Sequence, residues 1–359
     1  MISTRLQISL ILSLCFLMTS CAETKMVMNM SPESAEVPTM VWPAAPEKPR
    51  YRYIGELSGE ANFRPDSNIL ANRSKLAKLF DWLVGLRDTK VDPIVLQRPQ
   101  SGVVDNEGRV FVTDISKGAV YVFDKTAGKL FVWEMAGLNS HFKSPVGITL
   151  GDGGDVLVAD ADLHGIFRLD NKGNPVGAFG QDILKRPTGL ARDSKQGYIY
   201  VADTYAHDIK VFQDDGKLLK VIGQRGEADG EFNFPTHITF SNNQLYVTDT
   251  LNSRIQVFDA EGKLVKKFGQ RGLYIGNLVR PKGVAVDNFS NIYVIESLYD
   301  QLLIFNQQGE TLLALGGNGK EVGQFYLPAG VWVDQQNQVY IADMFNGRIT
   351  VLQYLGDTQ

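Results

Sequence analysis

Apolar and polar residues alternate along most of this chain in short runs, and six stretches pair two such runs around a polar turn. They are VFVTDISKGAVYVF from Val110, VLVADADLHGIFRL from Val156, YIYVADTYAHDIKVF from Tyr198, QLYVTDTLNSRIQVF from Gln244, NIYVIESLYDQLLIF from Asn291 and QVYIADMFNGRITVL from Gln338. Period-two alternation is the mark of a strand, so each stretch reads as strand, turn, strand. An acid closes the first strand every time: Asp114, Asp160, Asp203, Asp249, Glu296 and Asp343, at intervals of 46, 43, 46, 47 and 47 residues. A fixed period of this length belongs to a propeller or a solenoid.

Each pair extends on both sides. Ahead of it comes a Pro-led run with Gly or His two or three positions on: PQSGVVD, PVGITL, PTGLAR, PTHITF, PKGVAVD and PAGVWVD. Behind it comes a turn and another strand, as in GKLLKVIG and GKLVKKFG. Four strands per repeat make one propeller blade. The sixth repeat stops at YLGDTQ without its fourth strand, and RYRYIGELSGEANF from Arg50 matches KVIGQRGEADGEFNF of the third repeat. A strand from the amino end that completes the last blade closes the ring and leaves no open edge between first and last blades. The expectation is an all-β fold: a six-bladed β-propeller over residues 51–359, closed by 51–57, with blades starting near 99, 145, 187, 235, 281 and 328. Residues 64–98 interrupt the repeats as a short helical insertion. Ser74 caps a helix with Leu76, Leu79, Phe80 and Leu83 on one face, Trp82 at its side and Gly85 at its end. Its stripe packs on the propeller, or serves as a docking or lid element.

The amino end has a different character. Residues 1–20 read as a secretory signal, with Arg5 ahead of the apolar LQISLILSLCFLM. LMTSC resembles the bacterial lipobox, which implies cleavage before Cys21 and a membrane anchor of acyl chains on that cysteine. An ordinary signal peptide with an incidental cysteine is the alternative. Ala22 stands where an inner-membrane retention signal would place Asp, so the resemblance implies an outer-membrane lipoprotein facing the periplasm of a diderm cell. Residues 21–50 carry five prolines after the cysteine and read as a tether. Met26, Met28 and Met30 offer thioethers, soft ligands suited to copper(I), but their alternation is brief and the linker reading is preferred.

Composition then removes some functions. The formal net charge of −4 argues against a nucleic-acid partner, which needs a dense basic face. Cys15 and Cys21 are the two cysteines, so neither a disulfide framework nor a cysteine metal site can form. No Ser-His-Asp order, P-loop or dinucleotide fingerprint stands out, and the GGNG at Gly316 opens no helix.

The repeats resemble NHL repeats, whose pattern runs Pro-x-Gly-apolar, Val-Ala-Asp, a polar turn, Ile-x-Val-Phe and a Gly-rich link. Asp249, Asn252, Arg254 and Ile255 match it closely, as do Asp343, Asn346, Arg348 and Ile349. Glu296, Gln301 and Ala119 depart from it. The family includes a zinc-dependent amidating lyase whose histidines sit beside the prolines that open the inner strands. Here those positions hold Gln100, Val146, Thr188, Thr236, Lys282 and Ala329, so the lyase assignment fails residue by residue.

The face formed by the turns between second and third strands and by the links between blades is where propellers commonly bind. His141, His164, His207 and His237 map to it. His164 and His207 read as solvated turn residues, whereas His237 stands where five other repeats carry glycine. The six acids could hold calcium, and histidines a zinc; the preferred reading gives the acids a turn-capping role, with no cofactor. Tyr205, Leu251, Tyr299 and Phe345 lie in successive turns and, with His237, form the candidate partner face. The resulting expectation is a membrane-anchored, monomeric envelope module that binds a protein, peptide or glycan. The alternative is a metal-dependent lyase or lactonase-like hydrolase at the channel mouth.

Overall fold

The computed structural model describes residues 26–31, 40–66 and 92–356. The chain divides into two compact units, Met1–Val27 with Arg64–Val91 and Met28–Phe63 with Asp92–Gln359. The signal peptide, Cys21 and the Ser74–Gly85 helix lie outside the described residues.

The second unit holds six antiparallel blade sheets, five of them four-stranded with strands in sequence order and the sixth completed by strands from the amino end. In blade four, for example, Pro235–Ser241, Gln244–Asp249, Arg254–Asp259 and Leu264–Phe268 run from the axis outward. Second and third strands are buried on both faces, because a neighbouring blade packs on each side: Val110–Asp114, Val156–Asp160 and Ile292–Glu296 are buried at every position. Fourth strands alternate between partly buried and exposed, as in Leu218–Ile222, since their outer edge meets water. Cores form between blades. Phe111, Val120, Val122 and Trp133 of blade one meet Val156, Val158, Phe167 and Leu169 of blade two. Tyr200, Ile209, Val211 and Ile222 of blade three meet Ile238, Leu245, Val247 and Phe258 of blade four. Each fully buried aliphatic or aromatic side chain of this kind contributes about 1.5–3 kcal/mol, so the stability is spread round the ring.

Closure comes from the amino end. Tyr51–Leu57 pairs antiparallel with Arg348–Tyr354, from Ile349 opposite Leu57 to Tyr354 opposite Tyr51. The Arg348 guanidinium donates to Glu56 Oε2 at 3.0 Å and to Asp343 Oδ2 at 2.9 Å, tying the closing strand to the blade it completes.

One expectation needs correction: residues 21–50 are not all tether. Val41–Trp42 adds a fifth strand outside Tyr51–Leu57, and Met40 and Trp42 pack on the core shared by blades five and six. The Glu56 amide donates to the Met30 carbonyl at 2.6 Å. Gly55, at φ 142°, makes that approach possible: a Cβ there would lie 2.3 Å from Met30 O. The proline content hid three side chains, Met40, Val41 and Trp42, that gain more by covering a sheet edge than by remaining in water.

At the axis, first strands of neighbouring blades meet backbone to backbone. A Cβ on Gly147 would lie 2.1 Å from Thr188 O, and one on Gly330 2.2 Å from Gln100 O. At these two positions only glycine permits that spacing, whereas blade four carries His237 at the corresponding place. The first strands enclose an axial cavity of about 170 Å³ that includes Ile148, Leu190, Ile238, Val284 and Trp332.

Candidate ligand face at the blade turns

The six acids hold the turn face together. Asp114 accepts the amide N–H groups of Gln97 and Arg98 from the incoming link and that of Ser116 from its own turn. Asp160 does the same with Lys143, Ser144 and Asp162, and Glu296 with Val279, Arg280 and Leu298. In these three blades the carboxylate latches the link that precedes its blade to the turn that follows its strand. In blades three, four and six the latch also takes a cation: Lys210 on Asp203 at 2.9 Å, Arg254 on Asp249 at 2.8 Å and Arg348 on Asp343 at 2.9 Å. Burial raises the pKa of Asp249, Glu296 and Asp343, against the pull of these donors. Their oxygens are committed to the fold, and they do not converge on a common point: among the described residues no group of three or more His, Cys, Asp or Glu gathers to hold a metal ion.

The histidines separate into distinct roles. His164 and His207 occupy left-handed turn positions, at φ 55° and 59°. Both reach across to the next blade: His164 Nδ1 lies 2.7 Å from Lys185 O, and His207 Nδ1 accepts the Phe234 amide at 3.3 Å. His207 is buried and packs edge-on against Phe234, so it is a blade-to-blade contact and not a solvated turn residue. His141 is exposed in its link.

His237 lies on the first strand of blade four. Thr250 donates to Pro281 O at 2.9 Å, which leaves Thr236 to donate to Thr250 at 2.7 Å. Thr236 Oγ1 is then an acceptor for His237 Nδ1–H at 3.2 Å, so the proton of the neutral imidazole sits on Nδ1. Nε2 carries a lone pair, sealed from water and without a partner among the described residues. Burial, with the positive charge of Lys282 nearby, lowers the imidazole pKa to about 3. The ring is therefore neutral at physiological pH and closed to a ligand. Of the five residues of the expected face, it is the one that does not open onto it.

The other four do. Tyr205 and Leu251 are more than half exposed, and Tyr299 and Phe345 are exposed beside them. The aromatic rings are held from one side by arginines: Arg186 lies over Tyr205 at 5.3 Å and Arg98 over Phe345 at 5.4 Å. Tyr326 stands beside Phe345, with ring centroids 5.4 Å apart.

The strongest apolar exposure on this face went unread in the sequence. Leu273, Tyr274 and Ile275, in the link from blade four to blade five, are 86, 85 and 75% exposed. Aligning links shows the signal: GQRGLYIGN holds Leu-Tyr-Ile where GQRGEADGE of the previous link holds Glu-Ala-Asp. The opposite end of the propeller carries the larger hollow, about 460 Å³, lined by Arg192, Asp193, Lys195 and Asn242. It is open and polar, and the Arg192 guanidinium is engaged with Asp152 at 2.6 Å.

A family described as a 6-bladed beta-propeller matches residues 192–262. NHL repeat-containing protein 2 of Gallus gallus is 34% identical over 102 residues, which cover 24% of this chain and 14% of that relative's length. Virginiamycin B lyase from Staphylococcus aureus superposes with a TM-score of 0.53 at 16% identity, over 72% of this chain and 96% of its own. A structure from Bacteroides thetaiotaomicron, titled a protein of unknown function, gives 0.56 at 15% identity over 72 and 70% of the two chains. At such identities the solved structures establish the fold alone. The six blades, the latch acids and the family model matched over residues 192–262 together identify the chain as a six-bladed β-propeller, with repeats similar to those of an NHL repeat-containing protein.

Proposed function

We propose that this propeller is a binding module of the cell envelope, anchored through Cys21, whose turn face takes a protein or peptide segment. The observation that carries the reading is the apolar exposure on that face. Leu273, Tyr274 and Ile275 project from one link, with Leu251 and Tyr299 on the turns of the same two blades and Phe345 on the next. Apolar groups kept in contact with water at the ends of turns gain free energy only when something covers them, which is why such patches mark interaction sites. The arginines above Tyr205 and Phe345 add a charged rim, and aromatic residues beside arginines are the usual anchors of interfaces. A peptide or protein segment fits this mixture better than a glycan.

The alternative of a lyase or hydrolase draws on the fold shared with virginiamycin B lyase at 16% identity. No observation at the channel mouth favours it: the Nε2 of His237, its nearest candidate group, is sealed from water.

Photocrosslinking tests the module reading. A photoreactive residue at Tyr205, Leu273 or Phe345 is expected to trap a discrete envelope partner, while one at Leu219 on an outer strand traps none. Equal trapping from Leu219, or none from the turn face, overturns it. The anchor is checked separately, since Cys21→Ser moves the chain from the membrane fraction to the soluble fraction.

A further inference from the structure

Three links of equal length enter blades four, five and six: 223–234, 269–280 and 316–327. Two of them are held by side chains of the blade they enter. In blade four the Arg254 guanidinium donates to the carbonyls of Ala228 and Glu231, at 2.8 and 2.9 Å, and Asn252 Nδ2 donates to that of Gly226 at 2.9 Å. Blade six repeats the arrangement. Arg348 donates to Glu321 O and Gln324 O at 3.2 and 3.1 Å, and Asn346 to Gly319 O at 2.8 Å. Both links also clasp themselves: the Glu231 side chain accepts the Ala228 amide, and that of Gln324 the Glu321 amide. The Gly226 amide donates to Phe232 O and the Gly319 amide to Phe325 O, each at 3.0 Å.

Blade five gives its link none of these holds. Tyr299 and Gln301 stand where blades four and six carry asparagine and arginine, and neither side chain makes a hydrogen bond or ion pair among the described residues. The amide bond of Gly226 and Gly319 has no counterpart at Gly272. What remains lies at the roots. Leu278 is buried, its amide donates to Gln270 O at 2.9 Å, and the Asn277 amide donates to Tyr274 O at 3.0 Å. Segments with few hydrogen bonds and few buried contacts open at the lowest free energy in a fold. The residues at the tips change along with the holds. The pinned links carry Glu227, Ala228 and Asp229 or Lys320, Glu321 and Val322, whereas the unpinned one carries Leu273, Tyr274 and Ile275, all strongly exposed. Charged tips are at ease in water; an apolar tip gains free energy only by moving onto something that covers it.

We propose that residues 271–277 form an adjustable clamp of the partner face, which swings on its roots to close Leu273, Tyr274 and Ile275 over a bound peptide or protein segment. The closure rests on the reading of the turn face as a partner site, whereas the mobility of the link stands without it. Gln301 is the position that sets the clamp free, because it lies opposite Glu296 as Arg254 lies opposite Asp249 and Arg348 opposite Asp343.

Amide hydrogen exchange of the full chain in detergent, read at single-amide resolution, tests the mobility. Asn277 and Leu278 are hydrogen-bonded in the same way as Glu231 with Phe232 and Gln324 with Phe325. After correction for intrinsic rates they are expected to exchange at least tenfold faster than either pair. Gln301→Arg installs the residue of blades four and six opposite an acid, and is expected to slow them threefold or more while strand Ile292–Glu296 keeps its protection. Closure is read by a photoreactive residue at Leu273 in cells, whose capture of a partner is expected to fall threefold or more when Gln301→Arg is added. Equal exchange in the three links would overturn the proposal, as would capture that Gln301→Arg leaves unchanged. No capture from any turn-face position would overturn the partner reading and the closure with it, and a persisting exchange difference would then mark the link as mobile without a guest.

Discussion

Replacing His237 with glycine isolates one electrostatic consequence of the fold. Burial removes water from the charged form of this imidazole, and Lys282 adds repulsion, so its pKa falls to about 3 in the folded chain against about 6.5 in the unfolded one. Between those values the unfolded state binds a proton that the folded state does not. The neutral histidine is therefore harmless above about pH 6.5, and stability is lost as pH falls below it, by about 1.4 kcal/mol per unit. From pH 7.5 to pH 5.0 the loss from this one group is about 2 kcal/mol, an upper figure because the residue as a whole is only partly buried. His237→Gly removes the group and gives blade four the residue found at Gly102, Gly147, Gly189, Gly283 and Gly330. Urea unfolding of both chains at the two pH values is the assay. Absolute stability can move in either direction, since an unpartnered Nε2 is removed and a side chain is lost. Only the pH difference matters: the wild type should lose about 2 kcal/mol more than the variant on acidification. Equal losses, within about 0.5 kcal/mol, would show that the imidazole takes up its proton in the folded state and that water reaches it.

Other perturbations probe the latches, the ring and the axial mouth. Asp249→Ala strands the Arg254 guanidinium, which is buried and donates to Asp249 at 2.8 Å, and should cost about 3–5 kcal/mol in urea unfolding. Gly147→Ala forces a Cβ to within 2.1 Å of Thr188 O, a backbone atom that cannot step aside; the expected loss is about 1–3 kcal/mol or more, with a matching fall in Tm. Deleting residues 40–57 removes the fourth strand of blade six and bares the edge of Arg348–Tyr354, so the truncated chain should aggregate more readily than the intact one, as read by light scattering of both without Cys21. Lys282→Thr should stabilise the chain at pH 7 by roughly 1 kcal/mol, about the value of one added hydrogen bond, because it replaces a half-buried cation with a hydroxyl. A loss of stability there would mean that the ammonium has a favourable partner.

The ring of blades was legible because each blade repeats the same solution to the same problem. Alternating strands, a latch acid and an opening proline recur at fixed spacing, and one copy confirms another. Even the ring closure could be read, since the strand absent after YLGDTQ had to be supplied by a segment that looked like a fourth strand. What repetition cannot announce is departure from itself. Leu-Tyr-Ile at 273–275 becomes visible only when links are compared with one another, because it lies outside the strands whose periodicity carries the signal. Lys282 reads in the sequence as a residue that is not histidine, whereas the burial that lowers its pKa exists only in the folded ring. His237 is the converse case. The substitution of glycine by histidine is plain in the repeats and suggests a reactive group, but whether an imidazole is available depends on which nitrogen holds the proton and which is covered. The Thr236–Thr250 pair fixes the first and the packing of blades four and five the second, and both leave the ring closed. Departures from a repeat therefore mark where to look, and the three-dimensional neighbourhood decides which of them can bind.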